Sequence, residues 1–123
     1  MTTLDASFLR AIVILTAFRP ERSLRCQAAL IYLALAGTEF TGAELPGEVT
    51  EGSKHAAGAA CGALVSMDLI RVVRRVASPN ENAKGRKVNV YLMQDGKAST
   101  CRAWLTANGF KLPENRQLEL IAA

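Results

Sequence analysis

Apolar residues recur at helical spacing over Leu4–Phe18, at Leu4, Phe8, Leu9, Ile12, Leu15 and Phe18, with Val13 and Ile14 widening the stripe. The pattern predicts a first helix ended by Arg19-Pro20, because the residue before proline is pushed out of the α region. A second helix is expected over Leu24–Ala36, carried by Leu24, Ala28, Leu30, Ile31, Leu33 and Leu35, with Ser23 as its cap and Gly37 as its stop. Thr41-Gly42-Ala43-Glu44 has capping-box spacing ahead of Leu45. Pro46-Gly47 leave room for one or two helical turns there, with Glu48–Gly52 as the turn that follows. The next helix is expected from Ser53, a candidate N-cap, to about Met67. A helical projection puts Ala57, Ala60, Cys61, Leu64 and Asp68 on its core side. His55, Ala59, Gly62 and Ser66 fall on the opposite side, flanked by Gly58 and Ala63.

The period then changes. Asp68-Leu69-Ile70 ends the helix and opens a strand rich in Val and Arg, and Ser78–Gly85 is a loop by composition. Arg86–Met93 reads as a returning strand in which Val88, Val90 and Leu92 alternate with an outward polar set, Lys87, Asn89 and Tyr91. Asp95-Gly96 closes it. Lys97–Asn108 is expected to be a helix with Cys101, Trp104 and Leu105 inward and Gly109 as its stop, and Pro113 can start a final short helix through about Ile121. The expected fold class is mostly α with a small β-hairpin. Its architecture is a winged helix-turn-helix with flanking helices, one domain over 1–123, divided into an N-terminal helix (1–22), a core (23–95) and C-terminal helices (96–123).

Half of the 123 residues are hydrophobic and 21% are charged, ordinary values for a folded domain of this length. No apolar run in the first helix is long enough to span a bilayer, and Met-Thr-Thr-Leu-Asp lacks the basic start of a signal peptide, so a cytoplasmic location is expected. Net charge is +4, but Arg71, Arg74, Arg75, Lys84, Arg86 and Lys87 face only Glu81 between positions 71 and 87. Basicity is therefore local to the hairpin, as on a polyanion-binding surface. A solvated edge strand guarded by charge is the plainer reading of the same residues. Glu39, Glu44, Glu48 and Glu51 form an acidic segment that would repel phosphate near the central helix.

Cys26, Cys61 and Cys101 are an odd set without CxxC spacing, and the chain has one histidine, so neither a structural zinc site nor any other metal or cofactor is expected. Three small buried side chains account for the cysteines, with a redox-sensing thiol as the sharper alternative. No nucleophile–base pair, paired carboxylates or phosphate-cradling glycine loop can be assembled, so an enzyme is not expected.

Ala29-Leu30-Ile31-Tyr32-Leu33, Ser53-Lys54, Leu64 with Asp68-Leu69-Ile70, Arg86 with Val88, Val90 and Leu92, and finally Gly96 stand in the order and spacing of the MarR class of winged-helix transcription factors, which the stretch Leu24–Ala107 resembles. The resemblance implies a homodimer held by terminal helices, a recognition helix in the major groove of double-stranded DNA and a wing near the minor groove. Three features depart from it: Lys84 stands where the family's wing has an acid, the C-terminal helices are short, and the recognition helix has little side chain with which to read bases. The expected function is a DNA-binding transcriptional regulator using helix 53–67 and the basic wing 71–87, with Ser53, Lys54, His55, Arg71, Arg74, Arg75, Lys84, Arg86 and Lys87 as candidate contacts. Gly58 and Gly62 each cost about 1 kcal/mol relative to Ala inside a helix. With Ala59 they form a bare face suited to close approach. That face motivates the alternative, a winged-helix module of a phage or plasmid accessory protein that binds a protein partner.

Overall fold

Helix α1, Arg22–Leu35, is the centre of the molecule, with every residue from Ala28 to Ala34 buried. A helix apolar on all sides can be satisfied only by neighbours on all sides. The computed structural model describes residues 21–53, 55–77, 86–114 and 118. The expected helix Leu4–Phe18, the loop Ser78–Gly85 and most of the helix proposed from Pro113 to Ile121 lie outside the described residues. Leu118 is described, and it packs against the core.

Around α1 stand a 3-10 turn, Gly42–Glu44; a short helix α2, Gly47–Thr50; helix α3, Ala56–Ser66; strands β1, Ile70–Ala77, and β2, Lys87–Met93; and helix α4, Ala98–Ala107. β1 and β2 pair antiparallel from Ile70↔Met93 to Ala77↔Lys87, with a bulge between Val72 and Arg74. Phe40 adds an isolated antiparallel bridge to Tyr91. The described chain is thus a mixed α and β fold with a two-stranded hairpin.

Several boundaries differ from those read in the sequence. α1 begins two residues earlier, with Glu21 as its N-cap, because the Arg25 amide bonds the Glu21 carbonyl at 2.9 Å, and Ser23 sits inside the first turn, accepting a bond from Gln27. Pro46 opens α2, and Glu48–Thr50 are helical; the turn is confined to Glu51 and Gly52, both at positive φ. Ser53 does not cap α3, which starts behind His55.

Asp68 is not on the core side of α3. It is exposed at φ 61°, the left-handed residue that ends the helix, and the Leu69 amide reaches back to the Leu64 carbonyl at 3.0 Å. Its carboxylate accepts a bond from Gln94 at 2.9 Å and pairs with Lys97 at 3.7 Å. The polar face expected for β2 is also wrong at one position. Tyr91 is buried and belongs to the core, because the Phe40 segment and α3 cover that face of the hairpin. In α4, Cys101 and Leu105 are fully buried, and Trp104 stacks on Phe110 with ring centroids 6.0 Å apart.

Candidate nucleic-acid interface

Backbone alternation sorts the basic residues of the hairpin. Neighbouring residues of a strand point to opposite faces. Arg75 pairs with Asn89 and shares a face with Lys87 and Tyr91. Arg71 pairs with Leu92 and Arg74 with Val90, on the other face.

The Arg75 face looks onto a cleft of about 490 Å³. One wall is Ser53, Ala57, Gly58 and Cys61, at and beyond the N-terminus of α3. The other is Arg75, Arg86, Lys87 and Asn89, from the hairpin, with Gly42 and Leu45 between them. Three cations line this cleft and no acid does so among the described residues. Arg75, Arg86 and Lys87 are exposed, so their charges stay hydrated.

Gly42 lets its segment pack closely against the α3 wall. A Cβ built there would stand 3.3 Å from the Ala57 Cβ and 3.6 Å from the Cys61 Sγ. Gly58 and Gly62, singled out from the sequence as close-approach positions, would place a Cβ with nothing within 4 Å among the described residues, and they are exposed with Ala59. The within-chain approach was therefore missed in the sequence.

Arg74 is engaged elsewhere. Its guanidinium pairs with Glu39 at 2.5 Å, beside a second hollow of about 540 Å³ that also takes in Glu44, Val76 and Val90. Arg71 is half-buried, and its Nε has no hydrogen-bond partner among the described residues. His55 is exposed, and its amide lies 3.4 Å from the Ser53 hydroxyl. Lys54 and Lys84 lie outside the described residues.

The acidic segment has structural work. Glu51 bonds Arg25, whose donated hydrogen bond and charge hold the carboxyl below its ordinary range. Arg25 also donates to the Val49 carbonyl at 3.2 Å, tying α1 to α2. Glu44 accepts the Thr41 amide at 2.7 Å, completing the capping box read from the sequence. Burial raises its pKa, against the lowering effect of that bond. These carboxylates are turned toward other parts of the fold, and none lines the basic cleft.

All three cysteines are free and buried. Burial raises each thiol, that of Cys61 to about 11 despite a hydrogen bond from Tyr91 that opposes the shift. A thiol protonated at neutral pH is a poor nucleophile, so the packing speaks for the plain reading over redox sensing. Among the described residues no group of His, Cys, Asp and Glu could hold a metal ion, and no helix is long and apolar enough to cross a membrane. The chain matches no protein-family model, no curated protein and no solved structure.

Proposed function

We propose that the chain is a DNA-binding transcriptional regulator of winged-helix type that takes the phosphate backbone of a duplex into the cleft between α3 and the hairpin. The observation that carries this reading is the charge of the cleft, three cations without an acid among its described lining residues. A polyanion gains there from several cations at once. The element order supports the same reading, since α3 runs directly into the hairpin and the Phe40 bridge attaches the segment before it to β2. The resemblance to MarR proteins adds a homodimer, which sedimentation of the full chain would reveal.

The test is a salt titration of binding to random-sequence duplex DNA. Three phosphate contacts correspond to a log–log slope of about −2.7. Arg75→Ala/Arg86→Ala should make the slope shallower by about 1.8, the share of two contacts. Arg74→Ala should leave it unchanged, because that side chain is held by Glu39 on the other face. Absence of binding at low salt would remove the proposal.

A second reading has one observation behind it. Val65 and Met67 are exposed at the end of α3, beyond the bare residues Ala59 and Gly62, so an apolar partner could lie along this helix. If a protein is the partner, Gly62→Arg abolishes its binding while leaving the cleft cations in place.

A further inference from the structure

We infer that this chain holds duplex DNA by its backbone and discriminates little between sequences, an inference that rests on the DNA binding proposed above and sets it apart from an operator-specific regulator. Reading a base edge in the major groove takes paired donors and acceptors, supplied mainly by Arg, Lys, Asn, Gln, Asp or Glu. α3 has none of these over its full length, Ala56–Ser66. Its outward residues Gly58, Ala59 and Gly62 carry no side-chain donor or acceptor. Ser66 is polar but sits at the far end, away from the cleft.

The cleft does not make up the shortfall. Its side-chain amide, Asn89, donates to the Tyr91 hydroxyl at 3.4 Å. Its cations all stand on the hairpin wall, opposite the helix, and suit phosphate oxygens. What the helix offers instead is room. With nothing among the described residues within 4 Å of a Cβ at Gly58 or Gly62, its backbone can lie close against a duplex without side chains in between. Such a contact follows groove width and deformability more than base identity. Ser53 on the cleft wall, and Lys54 and His55 next to it in the sequence, are the polar groups just before the helix.

The experiment is selection of binders from a random duplex library by the full chain, followed by affinities for the most enriched duplex and for its scrambled sequence at one salt concentration. Sequence-reading proteins prefer their sites by about a thousandfold or more. Here the preference should stay below about thirtyfold, the worth of one base contact or so. Arg75→Ala should weaken both duplexes by the same factor. A preference above that limit, or an Arg75→Ala effect confined to the enriched duplex, overturns the inference while leaving DNA binding intact. Failure to bind any duplex at low salt removes the proposed function, and the inference with it.

Discussion

Phe40 and Tyr91 are joined twice. Their backbones exchange hydrogen bonds, Phe40 amide to Tyr91 carbonyl at 3.0 Å and Tyr91 amide to Phe40 carbonyl at 2.8 Å. Their rings lie 5.9 Å apart at an angle of 30°. This single bridge fixes where the chain between α1 and α3 meets the hairpin. It thereby places Gly42 against Ala57 and sets the width of the basic cleft.

Phe40→Ala should therefore cost about 3–5 kcal/mol, the usual loss for a fully buried phenylalanine. The residue is 1% exposed, so little of that loss can be recovered by solvent contact. Tyr91→Phe removes only a hydroxyl near Asn89 and Cys61 and should cost about 1 kcal/mol. Urea unfolding of the two variants would give both values. A Phe40→Ala loss of under about 1 kcal/mol would mean the bridge does not organise the fold.

The glycines divide by surroundings. Gly62→Ala places a methyl in open space on a helix and should stabilise the fold by about 1 kcal/mol. Gly42→Val would drive a branched side chain into Ala57 and Cys61 and should destabilise by about 1–3 kcal/mol. Thermal melting of the two proteins would show opposite shifts from wild type. Equal shifts would contradict the packing of Gly42 against α3.

Glu44 ties a local cap to pH. Burial raises its folded pKa above the unfolded value, so its contribution to stability is fully present below the unfolded pKa and is lost as pH rises through the folded one. Glutamine keeps the capping geometry without the charge. Glu44→Gln should thus gain on wild type as pH rises from below the carboxylate range to neutrality. The check is the difference in urea midpoint at the two ends of that range. A gap that shrinks toward neutral pH would reverse the sign argued here. Glu51 acts in the opposite sense, since Arg25 lowers its pKa and its contribution is lost as pH falls through the folded value.

Periodicity alone determined the elements. The apolar stripe of α1, the Thr41–Glu44 box, the Cys101 and Leu105 face of α4 and the glycine stop at Gly37 follow from local spacing and backbone stereochemistry, which act within a few residues. The hairpin was legible for the same reason, as was the concentration of positive charge on it. Which cations converge was not legible. Arg74 and Arg75 are neighbours in the chain, yet one is paired with Glu39 and the other lines the cleft, because a strand sends successive side chains to opposite faces. Nor could alternation in β2 show that Tyr91 is covered. That depends on Phe40, more than fifty positions away in sequence, bridging to it. Among the described residues, the sequence by itself determined helices α1, α3 and α4, the hairpin and the sign of its charge. Only the tertiary structure decided which side chains share a face, because that is set by contacts between segments with no local signature.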